Sequence, residues 1–224
     1  MYERLNKLFT GEQTTILNNA NILLVGVGGV GSVCFEILIR SGIKNITIID
    51  FDAYEESNLN RQLHASRKTI GQSKVNVLKE YASNINDEIK VEIINEYLNK
   101  DSKLDYDTFD YIIDACDSIE AKILLITKAF EYQKKIICSL GVGNRVDPSK
   151  LSVSTLKKTT GDPLGKKLRY ELKKHEFNYD IKVISSTEVP IKSNPISSYM
   201  GVSATAGILL ADAVIKDLIN EKTK

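Results

Sequence analysis

After the short apolar run Asn21–Val25 the chain reads Gly26-Val27-Gly28-Gly29-Val30-Gly31, and residues 33–40 then space their apolar side chains as a helix does. Four glycines in six positions at a strand-to-helix turn permit a tight reversal. They also let backbone N–H groups approach a phosphate at the positive end of the helix. A second apolar run, 45–50, ends on Asp50. That is the place where a carboxylate accepts hydrogen bonds from ribose hydroxyls, about 20 residues past the glycines. The pattern predicts a nucleotide cradle built on Gly26, Gly28, Gly29, Gly31 and Asp50, and leaves NAD, FAD and ATP all open.

The remaining periodicity alternates in the same way. Lys90–Ile94, residues 110–114 and Lys135–Ser139 read as further strands, with helices over 71–85 and 119–132 between them. Alternation of this kind predicts βαβ units and a Rossmann-like α/β fold. Its sheet is parallel in the N-terminal part, with helices on both faces and ligands at the carboxyl ends of the strands. Past Leu140 the pattern changes. A Gly-Pro-punctuated turn leads to strands over 151–156 and 181–185, a basic helix over Pro163–Lys174 and a buried helix over 201–219. The expectation is a mixed or antiparallel C-terminal extension, and a glycine, Gly165, that frays the start of the basic helix. A length of 224 residues suits one domain, 1–224, with a nucleotide-binding core over about 1–145 and an elaboration over about 146–224.

The residues after Asp50 narrow the chemistry. Asp50-Phe51-Asp52 leads into Ser57-Asn58-Leu59-Asn60-Arg61-Gln62-Leu63-His64 and then Gly71-Gln72-Ser73-Lys74. An enzyme cleaving ATP between its α- and β-phosphates uses such cations to offset charge on the α-phosphate and the departing pyrophosphate. It also needs a carboxylate for magnesium, which binds oxygen ligands and substrate phosphates. Asp114 and Asp117 at the end of the fourth strand are the candidates, with helix capping as the competing role for Asp117. Cys116 is either a thiol of the site or a packing residue, and His64 either a donor near the phosphates or a structural side chain.

These motifs, taken in order, resemble the adenylating superfamily of ubiquitin-activating-like enzymes that includes ThiF, MoeB and HesA. The resemblance covers roughly residues 2–145. It implies ATP and Mg2+ as cofactors, with Asp50 on the ribose, Asp52 and Gln62 in the nucleotide-binding set, and Asn58, Arg61 and Lys74 at the phosphates. Asp117 takes the magnesium-linked role. It further implies a homodimer in which Arg4, in the stretch Arg4-x-x-x-Leu8-Phe9-x-Gly11, reaches the partner's ATP. Paired C-x-x-C motifs and a late transfer cysteine, found in members that activate sulfur carriers, are missing, since no cysteine follows Cys138.

Asn60–Ala65, Gly141-Val142-Gly143 with Asp147-Pro148, and Lys158-Thr159-Thr160-Gly161-Asp162-Pro163-Leu164 instead resemble the tRNA threonylcarbamoyladenosine dehydratase family. Ser185-Ser186-Thr187-Glu188 with Pro190 is similar to that family's Y-S-x-E-x-P segment, with Ser185 at the aromatic position. This resemblance implies ATP-dependent cyclisation of threonylcarbamoyladenosine beside the tRNA anticodon through an adenylated carboxylate, with release of AMP and pyrophosphate. It also implies sulfur-relay protein partners, as for some relatives. The alternatives are an adenylyltransferase for the C-terminal glycine of a sulfur-carrier protein, a non-catalytic nucleotide-binding scaffold and an NAD oxidoreductase.

Charge bears on that choice. Residues 156–174 carry seven basic and two acidic side chains in a chain of net charge +1. A single basic patch suits local contact with an anion such as a tRNA loop, and Lys157, Lys158, Lys166, Lys167 and Arg169 are the candidates. An ordinary solvated helix face is the competing reading. Cys34, Cys116 and Cys138 form no metal-ligand spacing, which argues against structural zinc and for a reducing compartment. Glu3, Arg4 and Lys7 precede any apolar run, and no stretch reaches 18 apolar residues, so the expectation is a cytoplasmic protein without an integral membrane segment.

Overall fold

The computed structural model describes residues 2–177 and 180–220. Its strands are β1 (Asn21–Val25), β2 (Asn45–Ile49), β3 (Lys90–Ile94), β4 (Tyr111–Asp114), β5 (Lys135–Ser139), β6 (Leu151–Thr155) and β7 (Lys182–Ser186). They form one sheet in the order β3-β2-β1-β4-β5-β7-β6. Every neighbouring pair is parallel except β6 with β7, which is antiparallel. The expected parallel sheet with a mixed C-terminal extension is therefore what forms. The helices are α1 (Gly11–Asn19), α2 (Gly31–Arg40), α3 (Lys74–Ile85), α4 (Ile119–Glu131), α5 (Pro163–Lys174) and α6 (Met200–Asn220).

Period-two alternation divides the core between the two faces of the sheet. Ile22, Leu24, Ile46, Ile48 and Ile113 pack with α2, α3 and α6. Leu23, Val25, Ile49, Ile112 and Cys138 face the other way, onto α4 and α5. Central strands buried on both faces explain the unbroken apolar runs in the sequence. The edge strands β3 and β6 keep exposed positions. Helix α6 is largely buried, as its apolar residues predict, and Gly207 lets it approach the backbone of α2 at Val30.

Three local features depart from the sequence reading. Helix α1 is not legible as an amphipathic pattern because Leu17 alone is buried, yet it carries a capping box in which the Thr10 hydroxyl accepts from the Gln13 N–H. Helix α3 starts at Lys74 and not at Gly71, because Gly71 has φ +83° and residues 70–73 are bridged to Ala53 and Tyr54. Gly165 does not fray α5. It stands in the first turn, its N–H is capped by Asp162, and a Cβ there would come within 2.9 Å of Leu140 Cδ1. The glycine lets the first turn pack closely on Leu140.

Between α2 and α3, His64 is buried with its ring edge-on to Tyr81 and its Nε2 3.4 Å from Glu36. Burial holds its pKa below the usual histidine value, against the raising effect of Glu36, while Arg40 adds to the lowering. The neutral ring is the folded form, so protonation favours the unfolded chain. Histidine's contribution is complete above the unfolded pKa of about 6.5 and declines as pH falls below it. Urea midpoints measured from pH 7.5 to 5.5 should fall for the native chain, and the fall should be shallower for His64→Phe.

Candidate functional site

A cleft of about 710 Å³ opens at the carboxyl ends of β1, β2, β4 and β5. Strand order reverses between β1 and β4, the switch point where open α/β sheets bind ligands. Gly26 has φ +85°, and a Cβ on it would stand 2.8 Å from the Cys116 backbone nitrogen. A Cβ on Gly31 would fall onto the Gly26 carbonyl oxygen, so Gly31 serves the close packing of turn and helix and does not line the cleft. Gly28 and Gly29 do line it, and a Cβ on Gly28 would meet only the Gln62 amide, at 3.8 Å.

Asp50 closes the turn from the opposite side. Its Oδ2 accepts from the Val27 N–H at 2.8 Å and its Oδ1 from the Asp52 N–H at 2.9 Å. The carboxylate therefore orients the glycine turn and still has lone pairs for a ligand hydroxyl. Asp52 accepts from the Lys74 ammonium at 2.7 Å, and both residues face the cleft. Arg61 lines the cleft from the loop after β2, its guanidinium braced on the Ser57 carbonyl and the Asn60 amide oxygen. Gln62 is 6% exposed beside Gly28, with its Oε1 unpartnered among the described residues. Asn58 is placed differently: its side chain accepts from the Glu55 N–H and donates to Ser57, and it does not line the cleft.

Of the two carboxylates after β4, one is structural and one is open. Asp114 is wholly buried; its Oδ2 accepts from Lys122 at 2.9 Å and its Oδ1 from the Cys116 thiol at 3.0 Å. Burial and the adjacent Asp114 push the Cys116 thiol far above the usual range, so it stays protonated beside the cleft. Asp117 is exposed in the cleft, and the capping role falls to Ser118, which accepts from the Ala121 N–H. Among the described residues no cluster of three or more metal-ligating side chains forms. Asp117 thus suits an ion that takes one carboxylate and completes its shell with phosphates and water. His64 lies outside the cleft.

Two buried cations escaped the sequence reading. Lys122 lies on the apolar stripe of α4 between Ile119 and Ile126, and a lone charge on such a stripe is the signal that could have revealed it. Its ammonium donates to Asp114 and to the Ser139 carbonyl. Arg145, 2% exposed, lines the cleft and pairs with Asp162 at the start of α5. Pro163 and Leu164 carry α5 to the cleft wall, and Lys166 and Lys167 follow, exposed, as are Lys157 and Lys158. Arg169 is turned inward, onto the Leu156 carbonyl and the Thr159 hydroxyl. Arg4 is exposed and does not line the cleft of its own chain.

Removing Lys122 alone strands a buried carboxylate. Lys122→Met should cost about 3–5 kcal/mol, as broken buried pairs do, while Lys122→Met with Asp114→Asn should recover most of it. Urea unfolding of the two variants checks the difference.

No helix among the described residues is long and apolar enough to cross a membrane. Residues 2–218 match the model of the ThiF family. The chain is 32% identical to the tRNA threonylcarbamoyladenosine dehydratase of Bacillus subtilis (strain 168), over 96% of this chain and 94% of that one. Its fold superimposes on crystal structures of Escherichia coli tRNA N6-threonylcarbamoyladenosine dehydratase, TcdA. The complex with AMP gives a TM-score of 0.91 and the complex with ATP 0.90, each at 29% identity over 99% of this chain and 95% of that one. By the glycine turn, the paired cleft residues and this near full-length similarity, the chain belongs to the ThiF family, among its tRNA threonylcarbamoyladenosine dehydratases.

Proposed function

We propose that the chain is an ATP-dependent dehydratase that cyclises threonylcarbamoyladenosine in tRNA. The observation that carries this reading is a nucleotide cradle whose wall is continued by the first turn of a lysine-rich helix. Asp50 holds the ribose, and Gly28 and Gly29 leave room for the phosphates. The substrate carboxylate attacks the α-phosphorus, the bond to the β-phosphate breaks, and pyrophosphate leaves. Arg61 and Lys74 offset the charge that develops there, in a site already organised for it. Asp117 would hold magnesium together with the phosphates, and that ion neutralises phosphate charge when bound. A nitrogen or oxygen of the same modification then attacks the activated carbonyl carbon, and AMP departs with the former carboxylate oxygen. The Cys116 thiol is engaged in a hydrogen bond to the buried Asp114, which fits closure without a protein thioester.

The chain acts as a homodimer in this reading, with Arg4 serving the partner's cleft. Mixing Arg4→Ala with Asp117→Ala protomers at low magnesium should give activity well above either variant alone, because each mixed dimer holds one intact site. Absence of recovery after confirmed subunit exchange removes Arg4 from the site.

Arg61→Ala should slow AMP release with tRNA by about 10²–10³, the typical effect of losing one preorganised donor. Asp117→Ala should be similarly slow at low magnesium and partly rescued by excess. Mass spectrometry of tRNA nucleosides, alongside AMP release, measures both. Pyrophosphate exchange that depends on a small carrier protein and not on tRNA would instead favour the sulfur-carrier reading.

Reversing the charge of Lys166 and Lys167 should raise KM for tRNA and leave ATP binding unchanged. Each phosphate contact on a single strand contributes about 0.7 to the logarithmic salt slope, so the variant's slope should be shallower by about one unit or more. A solvated helix face predicts no change in either quantity.

A further inference from the structure

The basic helix is joined to the nucleotide cleft by one buried ion pair. Arg145 Nη2 donates to Asp162 Oδ2 at 3.1 Å, and Nη1 donates to the Gly141 carbonyl at 2.6 Å. Asp162 Oδ1 accepts from the Gly165 N–H at 2.8 Å, which caps α5. The guanidinium therefore spans the rim of the cleft and the first turn of the helix, with 1% of its side chain exposed. Its Nε–H has no partner among the described residues. Packing adds to the same junction, since Gly165 sits close against the Leu140 side chain.

A buried pair of this kind is a weak source of stability, because desolvation of both ions offsets most of their attraction. Fixed geometry is what it supplies. Pro163 and Leu164, directly after Asp162, line the cleft, and Lys166 and Lys167 stand exposed immediately beyond. Arg169 braces the turn that carries Lys157 and Lys158 against α5, so the lysines form one unit, which Leu168 and Leu172 anchor in the core and Asp162 ties by charge to the cleft rim.

We infer that Arg145 is a positioning residue that locks the first turn of α5 to the cleft rim, setting where a tRNA gripped by the lysines presents its carboxylate relative to ATP. The inference rests on the tRNA reading given above for its substrate, but the lock itself does not. Displacement by about 1 Å at a reacting centre can cost up to about 10²-fold in rate. Loss of the lock therefore lowers kcat. Because the lysines remain, KM for tRNA and its salt dependence hold, in contrast to lysine reversal, which raises KM.

The test compares the native chain with Arg145→Met and with Arg145→Met/Asp162→Asn. The double variant leaves no buried charge, and Asn can still cap Gly165. Rates are expressed per ATP-binding site counted by calorimetry, so an unfolded fraction does not imitate a loss of kcat. The expected result for the double variant is a fall in kcat of about tenfold or more, with KM for tRNA and Kd for ATP within about twofold of native. Amide exchange over residues 164–168 should also accelerate. A kcat within about twofold of native, or a weakening of ATP binding that matches the loss of rate, overturns the inference. If the native chain does not modify tRNA at all, the tRNA reading fails. The lock is then judged by exchange alone: faster exchange over 164–168 supports it and native protection overturns it.

Discussion

Beneath the cleft a single ammonium group joins three elements. Lys122, on α4, donates to Asp114 at the end of β4 and to the last carbonyl of β5. Asp114 in turn orients the Cys116 backbone and thiol, and Cys116 forms the wall against which Gly26 must pack without a side chain. The loop that presents Asp117 is thus fixed by one buried pair, and the glycine turn, oriented by Asp50, packs against it. In an interior of low polarity such a pair is costly to break and tolerant of no misplacement, which suits a site where two loops must meet around a polyanion.

The cleft also divides its cations by task. Lys74, Lys122 and Arg145 are each paired with a carboxylate and buried. Arg61 is braced by neutral oxygens and keeps its charge directed into the cleft. Lys157, Lys158, Lys166 and Lys167 of the outer segment are exposed. Lys122 and Arg145 hold geometry, Arg61 and Lys74 present positive charge to the cleft, and the exposed lysines suit reversible, salt-sensitive contact with a nucleic acid.

Much of this was legible in the sequence because it depends on local rules. Alternating apolar runs place β1, β3 and β5 to the residue, and the glycine pattern with Asp50 locates the cleft. Less legible were the features set by tertiary contact. Gly165 reads as a helix breaker until Leu140 is placed against it, and Gly71 reads as helix until Tyr54 is bridged beside it. Asn58 stands in a recognisable motif, yet its amide is used within its own turn. Lys122 and Arg145 carry no local mark of their partners, which lie on other elements and, for Arg145, 17 residues away.

The position of β7 bears on how the chain is made. It lies between β5 and β6, although β6 precedes it in sequence. During synthesis β6 emerges with no edge to join, and β5 keeps an open edge until β7 is inserted between them. The core on the α2 side is likewise unsealed until α6 arrives, because Leu210, Ala211 and Val214 fill it. Non-local closure of this kind is slow and leaves apolar surface uncovered in the interim. The strands that build the cradle thus precede in sequence the segments that supply its far wall and back.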